Sequence, residues 1–464
     1  MQTLYLATHF NPIYWNTSCL IVNSNSIDDD IDEDEMDEEE IKKAKSANYD
    51  KIAKAIGDIQ AAGIKVSLID INKSGYGFEP DVENNEILFG LKGLLNVGDD
   101  IVDVIISNRP YESPKDFLNK VKPNKSAMIS LIKSGAFDKM KDRKFVLAWY
   151  IYETCDKKKR ITLQNMNGLS QNKLLPTTGD YELPFKVYEF NRYLKAKCKS
   201  LSKTEYYLDQ RAIDFLTAQG YDGMIEQLAV IQEKGYESKF ILNAAKWDNV
   251  YQKWMDTYRK WIAANQQEIL QMLNGKIFRT DWEKYASCKS NNPLSAWEME
   301  VMCFYYHEHE LNNLSDKYGY SDFFKLPEEP EVERTIYKKG IPINLYKLHR
   351  IYGTCIAKNK TKSTVSLLTP SGVVTVKFRK EYFSLFDKRI SAIGADGKKH
   401  VVENSWFNRG SMIVVTGIRR DTDFIAKKYS TTGGHQLYKI DSIDADGNIE
   451  LRNARYQGDA DEEN

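Results

Sequence analysis

The chain has 464 residues, of which 28% are charged and 42% apolar, with a formal net charge of −1. That length predicts roughly two to four domains with sizeable cores, and no apolar run approaches a membrane span. The six cysteines (Cys19, Cys155, Cys198, Cys288, Cys303, Cys355) are scattered without a C-x-x-C pair. This argues against a zinc site or a disulfide framework and for a reducing compartment. With no basic-then-apolar leader at the N-terminus, the expectation is a soluble, cytoplasmic protein.

The net charge hides a division. Asp28 to Glu40 holds eleven acidic residues and no basic one, so the other residues carry a net charge of about +10. A basic remainder suits a polyanionic partner, although an ordinary solvated surface gives similar numbers.

Gln2 to Phe10 reads as a helix without an N-cap, so Met1 is expected to fall inside an element. Asn11-Pro12 suits a cap and first-turn proline that restart the helix through Cys19-Leu20. The acidic run cannot bury enough apolar surface to order itself and reads as a loop, a solubilising insertion rather than a regulatory or DNA-mimicking segment. A helix resumes from Asn48 to Ala62, with Ile52, Ile56 and Ile59 near one face, and Gly63 ends it. Ile64 to Ile69 reads as a strand.

From Glu86 to Asp138 the pattern is helix, tight turn, helix, twice over. Leu91 to Leu95 leads into the turn Asn96-Val97-Gly98 and the helical run Asp99 to Ile106. After Ser107-Asn108-Arg109-Pro110, Ser113 to Leu118 and Met128 to Asp138 supply the second pair. Such hairpins offer backbone N–H groups and a helix N-terminus to a phosphate, although many are only packing elements. Lys92 and Arg109 are expected to flank a bound strand, with Asn96, Val97 and Gly98 at the tip. The second unit adds Lys125, Lys133, Ser134 and Gly135. Asp99 and Asp100 count against tight anion binding but suit helix capping.

Residues 139 to 296 read as mostly helical and aromatic. Trp247, Trp254 and Trp261, seven apart, form one helical stripe, which is far more often core than a stacking platform. From about Thr335 the chain turns to short β-rich runs (364–368, 373–378, 412–416) separated by turns such as Thr369 to Gly372. These fit a small oligonucleotide-binding barrel. Its basic residues (Lys358, Lys360, Lys362, Lys377, Arg379, Lys380), with Phe378 and Tyr382 interleaved, suit single-strand binding, or else an ordinary solvated strand face. His307 and His309, beside Glu308 and Glu310, point to different sides of a helix, which argues against a metal site.

Together these stretches resemble the alpha subunit of bacterial DNA polymerase III, the C-family replicases. Tyr5-Leu6-Ala7-Thr8-His9-Phe10 looks like that family's Y-L-x-x-H-Y helix of the late fingers. Gly63-Ile64-Lys65-Val66 with Asp70-Ile71-Asn72-Lys73-Ser74 looks like its G-x-x-V…D-I-N-x-S segment. Residues 86–138 resemble its tandem helix-hairpin-helix module. Glu298 to Leu311 looks like E-x-E-x-L-G-x-Y-x-S-x-H-P-L, with Cys303, His307 and Glu310 replacing Gly, Ser and Pro. The family's first hairpin glycine is Asn96 here.

The resemblance implies a multidomain α+β chain. Its expected parts are late fingers at 1–80, the acidic loop at 28–40 and hairpins at 81–140. A helical domain or insert at 141–330, an oligonucleotide-binding barrel at 331–453 and an acidic tail at 454–464 complete it. The family's catalytic carboxylates lie on a palm upstream of everything matched, where two metal ions activate the primer hydroxyl. No catalytic residue, metal site or cofactor is therefore expected here; Mg2+ is expected on the palm of a partner chain. The resemblance implies the C-terminal half of a split nucleotidyltransferase that binds template–primer DNA. The alternative is a stand-alone DNA-binding or clamp-associated accessory protein. The family's sliding-clamp peptide has a candidate in Gln171, Leu174 and Leu175, in a loop-like setting.

Overall fold

The structure is a computed structural model that describes residues 12–23, 49–198, 200–202, 205–232, 235–290, 292–312, 314–394, 399–429, 436–444 and 446–453. The expected Gln2–Phe10 helix with its Tyr5–Phe10 motif, the acidic run 28–40 and the tail after Asn453 lie outside these residues. The chain divides into two compact units. One comprises Met1–Tyr150 with Tyr285–Asn464, the other Ile151–Lys284.

Helix α1 (Pro12–Asn23) opens on a proline, whose fixed φ suits a first turn. Helix α2 (Tyr49–Ala61) buries Ile52, Ala53, Ile56 and Ile59, and Gly63 follows at φ 82°. Strands β1 (Lys65–Val66), β2 (Glu79–Asp81) and β3 (Glu86–Leu88) form a small sheet in the order β1-β3-β2. The expected strand at 64–69 shortens to two paired residues, because after Ser67 the chain turns into a side-chain-bonded loop. The hairpin segment follows as a short turn of helix at Leu91–Gly93, then α3 (Asp99–Ser107), α4 (Pro114–Val121) and α5 (Lys125–Lys133). Ser113 caps α4 by accepting from the Asp116 N–H, and Asn124 caps α5 by accepting from Ala127.

Helix α6 (Arg143–Thr154) is followed by α7 (Met166–Gln171) and α8 (Glu182–Lys197). Next come β4 (Ser200–Ser202), β5 (Glu205–Tyr207), α9 (Gln210–Ala218), β6 (Ile225–Gln232) and β7 (Gly235–Asn243). The long helices α10 (Ala244–Ala264) and α11 (Gln266–Ala286) complete this region. The stretch is mostly helical, and β4-β5-β7-β6 add a four-stranded sheet that the sequence reading lacked. The Ile225–Gln232 run mixes apolar and polar residues without strict alternation, so its period did not separate strand from helix. The Trp stripe lies on α10. Trp247 is buried among Val187, Phe190 and Leu194, while Trp254 and Trp261 pack against the same unit's core as partly buried rings.

Helix α12 (Pro293–Met302) and α13 (Leu314–Tyr318) lead to an exposed hairpin, β8 (Val332–Lys338) and β9 (Ile341–Tyr346). Then come β10 (His349–Asn359), β11 (Thr364–Thr369), β12 (Gly372–Lys377), α14 (Lys380–Phe386), β13 (Ile390–Ile393) and β14 (Lys399–Glu403). Strands β15 (Met412–Arg420), β16 (Asp423–Ala426), β17 (Leu437–Ile443) and β18 (Ile449–Arg452) follow. The order β10-β11-β12-β16-β15 closes on itself through a β10–β15 pairing, with β12 and β16 parallel and α14 between the third and fourth barrel strands. That is the five-stranded Greek-key barrel of the oligonucleotide-binding type. Its interior alternates correctly: Val365 and Leu367 on β11 and Val374 and Val376 on β12 meet Trp406, Phe407 and Phe424.

The barrel is not a separate lobe within its unit. Ala53 on α2, Met299 and Cys303 at α12, and Ile356 and Leu368 on the barrel share one cluster. Gly57 marks the closest approach, since a Cβ there would sit 2.4 Å from Val373 Cγ2.

Candidate nucleic-acid interface

The first hairpin is built on rigid supports. Asp70 accepts from the Asn72 N–H and Ser74 Oγ accepts from the Asp70 N–H, which closes the Asp70–Ser74 loop. The Asn72 amide pairs both ways with the Tyr111 backbone. Arg109 spans the gap, donating from Nε to Ile71 O (2.8 Å) and from Nη2 to Ser74 O (2.6 Å). Arg109 was expected to flank a bound strand; instead its guanidinium is bonded to these two loop carbonyls. Burial holds it below its ordinary pKa range.

At the tip, Asn96 adopts φ 64°, and Leu95 N–H donates to Val301 O at 3.0 Å, fastening the hairpin to α12. Val97 is buried, so its side chain serves the core; Asn96, Gly98, Asp99 and Asp100 are exposed. Gly98 is the N-cap of α3 without a side-chain cap, so the first-turn amides of that helix open outward. Lys92 is nearly buried and its ammonium pairs with Asp99. The expected flanking cation is therefore spent on neutralising one of the two tip carboxylates. Among the described residues Asp100 has no ion pair.

The second hairpin places Lys122 at its tip with φ 51°, and Lys122 is exposed. Sequence reasoning missed it, although a lysine before Pro123 at a helix end was a usable turn signal. Lys125 lies over the Tyr285 ring at 4.7 Å. The remaining expected contacts are corrected. Lys133 is buried and bonds both oxygens of Glu300 at 2.7 and 2.6 Å. Ser134 is buried and its hydroxyl donates to Leu131 O. Gly135, at φ 84°, faces the Arg143 guanidinium. These groups lock the end of α5 inward, where no strand reaches.

What they lock to is the Glu298–Leu311 segment. Glu298 is fully buried and accepts from Arg143 Nη1 (2.9 Å), from the Tyr306 and His307 N–H groups and from His307 Nδ1 (2.6 Å). Arg143 also bonds Asp138 and Lys133 O. His309 donates from Nε2 to Leu368 O and accepts at Nδ1 from the Leu311 N–H, both at 3.0 Å. Loss of hydration pushes its pKa down to about 4, so it is neutral. Both histidines thus act as braces between elements, and the described residues contain no group of His, Cys, Asp or Glu side chains placed to hold a metal.

On the barrel, register brings the expected residues to one end. Asn359 pairs with Thr364, which pairs with Lys377, and Phe378 N–H donates to Ser363 O. Lys360 and Lys362 sit in the β10–β11 turn above them. Carboxylates offset half of this rim. Lys358 (2.5 Å) and Lys360 (3.6 Å) reach Asp387, and Lys377 reaches Asp423 (2.5 Å). Lys362, Arg379 and Lys380 are exposed, with no ion pair among the described residues. Phe378 is buried against Phe407 and is no stacking platform; Tyr382 is exposed.

The clamp-peptide candidate is corrected too. Gln171 ends α7, and Leu174 and Leu175 pack into the core beside Met255 and Tyr258, whose hydroxyl donates to Pro176 O. Leucine anchors already used by their own core are not available to a partner's pocket.

Comparison with known proteins agrees with this geometry. A family profile described as a helix-hairpin-helix motif matches residues 63–146. The chain is 36% identical over 472 residues to the probable DNA polymerase YorL of Bacillus subtilis (strain 168), covering 98% of this chain and 34% of that protein. The DNA-directed DNA polymerase of Bacillus phage SPbeta gives the same figures. Over 106 residues it is 42% identical to DNA polymerase III subunit alpha of Thermus aquaticus, covering 21% of this chain and 8% of the relative. The chain therefore spans about a third of the length of the first two relatives.

Proposed function

From this homology to DNA polymerase III alpha subunits and to YorL, which fits a C-terminal portion of an alpha-like chain, we propose that the protein is the DNA-holding half of a replicative polymerase. It binds template–primer duplex and completes DNA-directed synthesis with a separate palm-bearing chain. The observation that carries the reading is the first hairpin tip. Asn96, Gly98 and the open amides of α3 face outward on a base locked by Arg109, Leu95 and the Glu298 network. Backbone amides at a helix N-terminus grip a phosphate without reading sequence, which is what a polymerase needs behind its active site.

In this proposal the exposed rim of the barrel, with Lys362, Arg379 and Lys380, guides the single-stranded template by charge. The Mg2+ ions and the carboxylates that bind them belong to the partner's palm, and no chemical step is assigned to residues of this chain. No helix of the described residues is long and apolar enough to cross a membrane.

Primer extension tests the proposal. A palm-bearing chain from the same source is assayed with and without this protein, at equal primer–template. The expected result is extension that rises at least tenfold, in rate or in product length, on addition of this chain. Unchanged extension, with no co-purification of the two chains, points instead to a stand-alone accessory protein.

A further inference from the structure

Strands β8 and β9 form a hairpin that stands free of the barrel it precedes. All seven residues of β8 are exposed, as are the first four of β9. The register runs from Val332↔Tyr346 to Lys338↔Ile341, closed by Lys339 and Gly340 at φ 55° and 79°. Two positive φ values make a type I′ turn, whose twist matches that of the strands, so the ribbon is stiff to its tip. The foot is anchored. Leu345 is buried, Tyr346 N–H donates to the Tyr429 hydroxyl at 2.7 Å, and Lys347 N–H donates to Glu331 O at 2.9 Å. A two-stranded hairpin with both faces in water is marginal by itself, which points to an outside occupant.

Charge is divided along its length. The acidic residues of segment 326–348 are all at the foot: Glu328, Glu329, Glu331 and Glu333. There Glu328 pairs with Arg419 and Glu331 with Lys347, both at 3.4 Å. From Arg334 to Tyr346 there is no acidic residue. Lys338 and Lys339 are exposed at the tip and have no ion pair among the described residues. Lys338 lies five positions beyond Glu333 on the same strand, roughly 17 Å at about 3.3 Å per residue. That exceeds the screening length of about 10 Å at 0.1 M salt, so the foot carboxylates do not cancel the tip.

The tip is also apolar. Tyr337 and Ile341 flank the cations and are 75% and 65% exposed, more than the isoleucines nearer the foot. Pro342 follows Ile341 and pairs with Tyr337 across the ribbon. With no N–H, Pro342 interrupts the edge of β9, and Lys338 guards that of β8, so an added strand from another chain is poorly received. Duplex DNA fits better. Cations beside short apolar wedges suit the minor groove, where the cations hold phosphates on either side and the wedges enter between base steps.

We propose that the β8–β9 hairpin is an arm that enters the minor groove of duplex DNA. Lys338 and Lys339 hold the flanking phosphates, and Ile341 and Pro342 press between the base edges. The proposal rests on the reading of the chain as a DNA-holding polymerase part, and adds a duplex contact separate from the helix hairpins and the barrel rim. The acceptor pattern of the minor groove barely distinguishes sequences, so such a grip holds wherever the duplex slides.

The test uses the full chain and a labelled A·T-rich duplex, with anisotropy read across about 50 to 200 mM salt. In the Lys338→Gln/Lys339→Asn double variant, asparagine keeps a residue that tolerates the left-handed turn. This variant is expected to bind severalfold more weakly. Its slope of log affinity against log salt should flatten by about 1.8, two contacts at roughly 0.9 each. Ile341→Ser, with both lysines intact, should weaken binding at an unchanged slope; equal affinity there overturns the wedge. Circular dichroism melting of each variant checks the fold. With the minor groove filled by netropsin, the difference between wild type and the lysine variant should vanish, and a difference that persists overturns the groove assignment. Unchanged affinity and slope in the lysine variant, with wild-type binding intact, overturn the arm and leave the proposed function standing. Absence of duplex binding by the wild-type chain overturns both. Should the lysine variant bind duplex normally but no longer co-purify with a palm-bearing chain, the arm docks on protein and the DNA assignment is wrong.

Discussion

His309 shows how one side chain can tie two elements and report on pH. Its Nδ1 must be unprotonated to accept from Leu311, while Nε2 donates to Leu368 O on β11. The folded pKa of about 4 lies below the ordinary value near 6.5. Between those values the unfolded chain binds the proton more tightly. Stability from this group is therefore complete above about pH 6.5 and lost as pH falls toward 4, by roughly 2–3 kcal/mol. Glu310, pushed up by burial, works in the opposite sense, so a paired comparison isolates the histidine. Urea unfolding of the chain and of His309→Gln should show a variant less stable at pH 7 but with a shallower loss between pH 6.5 and 4. Residues replaced relative to the family pattern also become intelligible at this scale. Asn96 and Cys303 both have positive φ, 64° and 63°, at places where the pattern has glycine. Asparagine accepts that conformation readily, whereas Cys303 holds it inside a packed cluster. Sequence alone could flag both substitutions, but not that Cys303 keeps the left-handed backbone.

For single elements, the hairpin segment and the barrel strands were the most legible parts, because turn residues and alternation are local. Asn96-Val97-Gly98, the Ser113 cap and the β11–β12 turn at Pro370–Ser371 all lie where local rules put them. What the residues do was less legible. Lys92, Lys133 and Arg109 are basic residues in the right neighbourhood, yet pairing with Asp99, Glu300 and two carbonyls takes them out of reach of a ligand. A partner some 167 positions away cannot be seen in a local window. Among the exposed tip groups, Asp100 opposes the phosphate that the α3 amides invite. Asp100→Asn should tighten duplex binding severalfold at low salt, an effect that shrinks as salt rises. Fluorescence anisotropy with a primer–template duplex reads it directly; weaker binding in the variant would place the DNA elsewhere.

Across the whole molecule, the E-x-E segment was recognisable as a pattern but not as a fastener. Glu298 and Arg143 bring α12 against the end of the hairpin module, and both side chains are almost wholly removed from water. Breaking such a pair by removing one partner leaves an uncompensated buried charge and costs about 3–5 kcal/mol. Arg143→Met should therefore lower the midpoint of unfolding far more than Lys186→Met, whose partner Glu182 is exposed. Equal midpoints for the two variants would mean that the network contributes specificity and not stability. The division into two units was likewise only half visible. An expected insert at 141–330 contracts to Ile151–Lys284, because α12 and the residues after it join the hairpins and barrel in one core.

That shared core has a consequence for synthesis. Ala53 and Gly57 on α2 find their partners in Leu368 and Val373, some three hundred positions later. At roughly 5–20 residues per second, a ribosome needs about 15–60 s to deliver the second set after the first. Through that interval the side of α2 that carries Ala53 and Gly57 waits for the barrel, with only α1 and β1 packed on the helix, and a nascent polypeptide in that condition is a natural client for a holding chaperone.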